Sequence, residues 1–233
     1  MGRHRDGGGR CVGPEAMDIT GDSDVSTLGT LVAAANPGRD PSISPSYAAV
    51  DTTINGVLFE AFPLAGNPTT HGIFTIYETE AELYGQVHST LNVAPASNLS
   101  SAYQDLLVPV ISTNANRTFT VTAASLNPGQ TYLFQVWIQQ SFGVPADHQT
   151  TITSGPSLNA VVLDENHLND DGGLGQHAIA TFTADSTSQT FTFTNTRGAP
   201  YVNGFQLRAV PEPTTFGVVM LCSAGLLGRW RAG

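Results

Sequence analysis

Short apolar segments bounded by turn residues make up most of the chain between residues 18 and 209. The segments are rich in Thr, Val, Phe and Ile, and Gly, Pro, Asn or Asp stands at their ends, a pattern that is typical of short strands. Only residues 100–107 have apolar residues at the three- and four-residue spacing of a helix, after a serine that suits an N-cap. The pattern predicts a short helix there and seven strands over residues 118–123, 131–139, 148–153, 160–163, 176–183, 190–194 and 202–208.

The first half of the chain contains weaker strand signals. Asn55-Gly56 is a tight-turn pair, and apolar alternation resumes after it, which predicts a β-hairpin. A strand over residues 31–35 is expected to end at Asn36-Pro37-Gly38. Many short strands without long helices favour an all-β fold, and we predict a single jelly-roll or galactose-binding-like β-sandwich over residues 18–209.

One strand of this sandwich carries a more specific signal. Leu126 is followed by Pro128-Gly129 and then by Tyr132 at the start of an aromatic-rich segment. This order predicts a tyrosine corner, in which the Tyr132 hydroxyl bonds to the backbone of the turn. Trp137 is predicted to lie on the face of the strand opposite to its other large apolar residues. A tryptophan on an outer face is a candidate ligand-binding platform for sugars, and packing at a sheet edge is the alternative interpretation.

Composition narrows the classes of function. The 233 residues suffice for one domain with tails, 12% of them are charged, and the formal net charge is −10. All nine basic residues are arginine, so the chain is too poor in cations to bind nucleic acid by neutralising phosphates. Both cysteines, Cys11 and Cys222, lie outside the predicted domain, which therefore has no internal disulfide. Low charge with abundant Thr, Ser, Asn and Gly favours a secreted β protein over a cytosolic enzyme.

Residues 210–233 combine three parts in a fixed order. First comes Val210-Pro211-Glu212-Pro213, whose prolines break any regular element that leaves the domain. An uncharged apolar run over residues 216–227 predicts a short hydrophobic helix, and Arg229 and Arg231 after it are expected to stay on the cytoplasmic side of a membrane. The run is shorter than the ~20 residues of a full span. A C-terminal core helix behind a Pro-rich linker is the alternative, which the lack of a polar face disfavours.

This tail resembles the PEP-CTERM sorting signal through its Val-Pro-Glu-Pro motif, its apolar segment and the terminal Arg229-Trp230-Arg231. The resemblance implies that an exosortase, a membrane cysteine transpeptidase, is the sorting partner. It also implies export in a Gram-negative bacterium that makes extracellular polysaccharide, with transient anchoring in the inner membrane and a final place at the cell surface or outside the cell. The sorting motif that the resemblance implies consists of Val210, Pro211, Glu212, Pro213, Arg229 and Arg231.

Residues 20–208 resemble a domain that is common in planctomycete and verrucomicrobial PEP-CTERM surface proteins. This second resemblance implies a β-sandwich surface domain and no assigned activity. The segments that carry it are residues 21–26, 53–59, 126–137, 172–176 with 181–185, and 203–208.

The N-terminal residues 1–17 do not fit export. They contain basic residues but no apolar run, so the signal peptide that the tail requires is missing from them. We expect a non-native or disordered leader there. A disordered Gly/Arg leader on a protein that stays inside the cell is the alternative.

An acidic loop over residues 164–173 is the candidate metal site. It crowds hard oxygen ligands into one Gly-ended segment, which suits calcium, although the spacing is not that of an EF-hand. A solvated acidic turn is the alternative. The candidate ligands are Asp164, Asn166, Asn169, Asp170 and Asp171.

Gly21-Asp22-Ser23 and Asp164-Glu165-Asn166-His167 resemble the outer blocks of the SGNH esterases. That resemblance implies a Ser23 nucleophile activated by an Asp/His pair. The esterases are α/β proteins with long helices, a pattern that this sequence lacks, and the central blocks of the family are not found.

Three functions therefore remain open. The favoured one is an exported surface protein without catalytic activity, and therefore without catalytic residues, that is associated with extracellular polysaccharide or the envelope. The first alternative is a carbohydrate-binding module with a structural calcium, and the second is an SGNH-like esterase. A Ser23–His167 hydrogen bond would favour the esterase.

Overall fold

The computed structural model describes residues 14–42, 48–78, 84–86, 91–113, 117–140, 148–154 and 160–211. Helix α1 spans Ser101–Leu107, and two single-turn 3₁₀ helices span Asp22–Asp24 and Ala96–Asn98. The first eight strands are β1 (Glu15–Asp18), β2 (Thr30–Arg39), β3 (Thr52–Ile54), β4 (Val57–Leu64), β5 (Thr69–His71), β6 (Phe74–Glu78), β7 (Tyr84–Gln86) and β8 (Val110–Ser112). The other eight are β9 (Thr118–Ala124), β10 (Thr131–Ile138), β11 (Gln149–Ser154), β12 (Val161–Asp164), β13 (Gln176–Thr183), β14 (Ser188–Arg197), β15 (Tyr201–Val202) and β16 (Gly204–Ala209).

Two large sheets pack face to face as a sandwich. The first has seven strands in the order β1-β13-β10-β16-β2-β4-β3, and the second has six in the order β12-β11-β14-β9-β6-β5. A small sheet, β15-β8-β7, accompanies them. With 52% of the described residues in strands and 8% in helices, the predicted all-β, jelly-roll-like sandwich is confirmed. The predicted C-terminal hydrophobic helix lies outside the described residues.

Aromatic rings fill the space between the two sheets. Phe134 of β10 stacks on Phe191 of β14 with ring centroids 3.8 Å apart, and Phe119 stacks on Phe193 at 4.7 Å. These side chains are buried because alternate residues of each strand point inward, and each contributes roughly 1.5–3 kcal/mol through burial of its ring. The six-stranded sheet is therefore held firmly on its inner side.

The outer face of the seven-stranded sheet is covered by a second hydrophobic cluster beneath α1. Trp137 of β10 meets Phe59 of β4 edge to face at 5.3 Å, and Tyr103 and Leu107 of the helix pack over them. The indole Nε1–H of Trp137 donates to the Tyr103 hydroxyl at 2.8 Å. The Ser100 hydroxyl caps the helix by accepting from the Tyr103 N–H at 3.1 Å.

Residues 19–29 cover another part of the same face through polar side chains. Gln135 donates to the backbone carbonyl of Asp24 at 2.6 Å, and Gln206 donates to Gln135 Oε1 at 2.7 Å. The guanidinium of Arg208 donates to three consecutive backbone carbonyls, those of residues 27–29. The N-terminal segment is thereby fixed across strands β10 and β16.

Most local predictions are confirmed. Each of the seven strands predicted in the second half is present, and the helix begins directly after Ser100. Asn55 and Gly56 both have positive φ, 49° and 75°, in the β3–β4 hairpin. The Tyr132 hydroxyl accepts from the Asn127 N–H at 3.0 Å, so the tyrosine corner is present.

Two boundaries were predicted wrongly. Strand β2 does not end at Asn36-Pro37-Gly38 but continues to Arg39 beside β4. Pairing with β16 stops at Ala35, so Pro37 lies where β2 has one paired neighbour and its missing N–H is tolerated. The leader boundary at residue 17 is also too late, because Glu15–Asp18 forms an edge strand that pairs with β13.

Candidate functional site

Among the described residues, no element covers the outer face of the six-stranded sheet, and threonine dominates this face. The strand registers align its side chains in three rows of four, one residue from each of four neighbouring strands. None of the twelve is buried, and none is charged. We call this surface the threonine face; its rows are Thr70-Thr75-Thr122-Thr190, Tyr77-Thr120-Thr192-Thr153 and Thr118-Thr194-Thr151-Val162.

The threonine face presents hydroxyl and methyl groups at regular spacing. Strand geometry separates neighbours within a row by about 4.8 Å and neighbouring rows by about 6.8 Å. Two pairs of hydroxyls in the first row lie 2.9 Å apart, Thr70 with Thr75 and Thr122 with Thr190. A hydroxyl both donates and accepts hydrogen bonds, so the face can bond to a ligand rich in hydroxyl groups.

The sequence contains a signal for this face that strand prediction did not use. Thr118, Thr120 and Thr122 alternate with Phe119 and Val121, and β14 repeats the pattern with Thr at positions 190, 192 and 194. Each threonine favours a strand, but every second position also belongs to one face. The rows require the register between strands, which a single sequence does not fix.

Trp137 does not lie where a sugar platform requires. It points away from the sandwich core as predicted, but its side chain is 0% exposed because α1 covers it. Its indole N–H is already bonded to Tyr103, and its ring lies 6.3 Å from that of His177. The assignment of Trp137 as a ligand-binding residue is therefore corrected to a core residue of the covering layer.

The acidic loop is closed by its own hydrogen bonds. The Asn166 amide donates to the Asp170 carbonyl at 2.9 Å, and the N–H groups of Asn169 and Gly173 donate to the carbonyls of Asn166 and Asp170. Asp164 accepts from Gln149 at 2.7 Å. The side chains of Asp170 and Asp171 are exposed.

Within the described ranges, no three His, Cys, Asp or Glu side chains come together as a metal site. Asn166 Oδ1 is buried without a hydrogen-bond partner, but it faces the backbone of Gly173. We derive no role from calcium, which stays a prediction from the sequence.

The sorting motif is only partly within the described residues. Val210 N–H donates to the Thr131 carbonyl at 2.9 Å, and the Gln130 side chain donates to the Val210 carbonyl at 2.7 Å. Pro211 is described and exposed, whereas Glu212, Pro213, Arg229 and Arg231 lie outside the described residues. In the part of the chain that is described, no helix is long and apolar enough to cross a bilayer.

The two blocks that resemble esterases are not joined as a catalytic pair. The ring nitrogens of His167 lie 3.6 Å from Asp164 and 3.8 Å from Asp18. Asp22 accepts from Ser100 at 2.7 Å, which ties the first block to the helix cap. Among the described residues, no hydrogen bond joins Ser23 to His167.

A buried carboxyl group lies at the end of the sandwich opposite to Val210. Glu165 is 0% exposed, and its Oε1 accepts from Thr150 at 2.9 Å and from Asn195 at 3.4 Å. Its Oε2 is 3.6 Å from His148 Nδ1 and has no hydrogen-bond partner among the described residues. Burial raises the pKa of Glu165 to about 7, against the opposing effect of His148. The carboxyl group is thus enclosed in the fold, and its protonation affects the stability of the folded chain.

Comparisons with known proteins return matches to solved structures. No protein-family model matches the chain, and no curated protein matches it. A calcium-binding mutant of beta-glucuronidase 2 from Bacteroides uniformis matches with a TM-score of 0.49 and 12% identity, over 82% of this chain and 19% of that one. The ANX2 ectodomain from Arabidopsis thaliana matches with a TM-score of 0.46 and 10% identity, over 78% and 50% of the two chains.

A smaller protein is also similar. The carbohydrate-binding module TmCBM61, solved with beta-1,4-galactotriose, matches with a TM-score of 0.32 and 11% identity, over 58% of this chain and 88% of that one. This chain thus spans only a fifth to a half of the two larger proteins. At such identities a likeness concerns the fold and leaves function to the site.

Proposed function

We propose that this chain is an exported surface protein without catalytic activity, and that it associates with extracellular polysaccharide through the threonine face. The observation that carries the proposal is the open face itself, with ten threonines and no charge among its twelve side chains. The other large sheet is covered on its outer side by α1 and residues 19–29. An uncovered array of hydroxyls offers many weak hydrogen bonds to a polymer that repeats the same group.

The chemistry of the face supports binding over catalysis. Its twelve side chains include no carboxylate, histidine or cysteine, the groups that acid–base and nucleophilic catalysis use most often. The methyl groups of threonine supply apolar contact for the C–H surfaces of sugar rings, and the hydroxyls supply direction. Such a surface holds a glycan without any group to cleave it.

The tail accounts for delivery in this proposal. Two hydrogen bonds tie Val210 to the start of β10, and the Pro-Glu-Pro residues follow directly in the sequence. An exosortase would read this motif while the apolar run of residues 216–227 lies transiently in the inner membrane. The domain would then remain at the cell surface or in the extracellular matrix.

Retention on polysaccharides tests the binding part of the proposal. We would measure adsorption of the full chain to swollen cellulose, a β-1,3-glucan gel, agarose and alginate, with calcium and with a chelator. We expect saturable retention on at least one of them. No retention on any of the four under either condition would contradict the proposal.

Localisation tests the delivery part separately. The full chain, placed behind an export signal in a bacterium that makes an exosortase, is expected to reach the cell surface. The same chain with Pro211→Ala and Pro213→Ala is expected to stay in the inner membrane, because the motif would no longer be recognised. Equal surface amounts of both chains would contradict delivery by this motif.

A further inference from the structure

We infer that the threonine face takes a neutral polysaccharide in a hydrated form made of several chains, such as a gel or a swollen fibre. Single soluble chains and acidic polymers are excluded as its main ligand. The inference rests on the proposed function and specifies the ligand of the same face. Charge, shape and rigidity each carry part of the argument.

Charge distinguishes neutral from acidic ligands. The whole chain has a formal net charge of −10, so an anionic polymer is repelled at long range. The threonine face contains no cation that would offset this repulsion locally. Charged residues begin only at the rim next to the third row, where Gln149 lies opposite Asp164 in one neighbouring strand and opposite Arg197 in the other. A neutral polymer meets no such penalty.

Shape distinguishes a multi-chain ligand from a single chain. Six neighbouring strands span about 24 Å across the sheet, and the three rows span about 14 Å along the strands. A lone glycan chain is one sugar ring wide and would cover about one row. Sites for single chains are commonly concave, but this face is an open sheet surface whose one aromatic ring, Tyr77, lies at the end of the second row.

Rigidity distinguishes a hydrated assembly from a hard crystal. The inner side chains of the same strands, such as Phe119, Phe191 and Phe193, are buried in the core and hold the sheet in shape. The face therefore keeps the right-handed twist of its strands, roughly 20–25° between neighbours. A flat crystal plane contacts only part of such a surface, whereas a swollen assembly follows it. Many simultaneous weak contacts then give avidity without a deep pocket.

The test compares adsorption of the full chain to swollen cellulose and a β-1,3-glucan gel with its binding to soluble oligosaccharides of the same sugars and to alginate. We expect adsorption to a neutral gel and at least about tenfold weaker binding to the soluble and acidic probes. Thr192→Lys places a charge in the middle row, where adsorption would require its desolvation. We expect this variant to lose adsorption about tenfold or more.

The matched control is Thr181→Lys. Thr181 is an exposed strand threonine on the outer side of the other sheet, so this variant adds the same charge outside the threonine face. We expect it to adsorb like the natural chain. Thr192→Val keeps the shape and removes one hydroxyl, and it is expected to weaken adsorption by roughly two- to tenfold, the value of one hydrogen bond. This second variant keeps the test decisive if the lysine variant folds poorly.

Each outcome separates the inference from the proposed function. Tight binding of soluble or acidic glycans that Thr192→Lys leaves unchanged would overturn the inference and keep polysaccharide association. If the natural chain binds none of the tested glycans, both the inference and the proposed function are wrong. If size measurements show a dimer that Thr192→Lys converts to a monomer, the face is a contact between copies of the chain and the inference is wrong.

Discussion

Glu165 and His177 are both buried, yet burial moves their pKa values in opposite directions. Burial raises the pKa of Glu165 to about 7 and lowers the pKa of His177, because it penalises the charged form of each. Folded Glu165 therefore holds a proton that the unfolded chain has lost between pH 4.5 and 7. The pKa of folded His177 is lowered from its ordinary value of 6.5, so as pH falls the unfolded chain takes up this proton before the folded chain does. The first group weakens the fold as pH rises, and the second weakens it as pH falls.

Replacing Glu165 with glutamine removes its contribution to the pH dependence of stability and leaves that of His177. The natural carboxyl loses stability from pH 4.5 upward, and the loss is complete above pH 7. Glu165→Gln stays neutral, so we expect a gain in unfolding free energy at pH 8 of up to about 3 kcal/mol and little change at pH 4.5. Urea unfolding at several pH values measures this difference.

Other ionisable groups lie close to Glu165, and the variant must leave them in place. His148 and Asp164 act on its carboxyl, and the pKa of the Tyr201 hydroxyl is raised by burial and, to a smaller extent, by Glu165. Glu15→Gln, which makes the same change at an exposed edge-strand position, serves as the control. If the unfolding free energy of Glu165→Gln depends on pH in the same way as that of the natural chain, the raised pKa of Glu165 does not account for the loss of stability above pH 4.5.

At the scale of elements, α1 and residues 19–29 close the outer face of the seven-stranded sheet. The contact runs through Tyr103, which accepts from Trp137 at 2.8 Å and donates to Asp24 Oδ2 at 3.3 Å. Asp24 also accepts from the Thr20 and Gly21 N–H groups, so helix, sheet and N-terminal segment meet at one hydroxyl. The covering layer therefore has hydrogen bonds at its centre and apolar contacts around them.

Removing that hydroxyl tests the contact. Tyr103→Phe leaves the buried Trp137 N–H without its partner, which costs about 1–3 kcal/mol of unfolding free energy. Tyr77→Phe, at a side chain 43% exposed, is the control and should change stability by less than about 0.5 kcal/mol. Denaturant unfolding of both variants measures the two values, and equal effects would contradict the role of Tyr103.

Sequence patterns predicted the individual elements better than the contacts between elements. The Ser100 cap, the Asn55-Gly56 turn and the Tyr132 corner depend on residues close in the chain, and all three are present. Trp137 illustrates what was missed: strand alternation gave its face correctly, but its cover comes from Tyr103, 34 residues earlier. The threonine face was missed for a related reason, because its rows exist only once six strands are in register.

At the scale of the whole molecule, charge and surface are distributed unevenly. The chain carries a formal net charge of −10, yet the twelve side chains of the threonine face contribute none of it. A surface without charge makes contacts that salt does not screen. The same protein should avoid anionic polymers while it adheres to neutral ones.

Ionic strength therefore provides a further prediction. Raising NaCl from about 0.05 M to about 0.5 M shortens the screening length severalfold but should leave adsorption to a neutral gel within about twofold. Adsorption isotherms at both salt concentrations measure this. A steep fall with salt would indicate an ionic contact elsewhere on the molecule and contradict binding through the threonine face.

Oxidative footprinting of the full chain with and without a neutral polysaccharide gel tests the central claim most directly. Tyr77 lies on the threonine face with 43% of its side chain exposed, and Leu168, 51% exposed, lies on the acidic loop outside it. The proposed contact predicts that the gel protects Tyr77 from oxidation in proportion to the fraction of chain bound and leaves Leu168 unprotected. Unchanged oxidation of Tyr77 in a gel-bound chain, with protection of Leu168 instead, would place the polysaccharide at another surface and contradict the account.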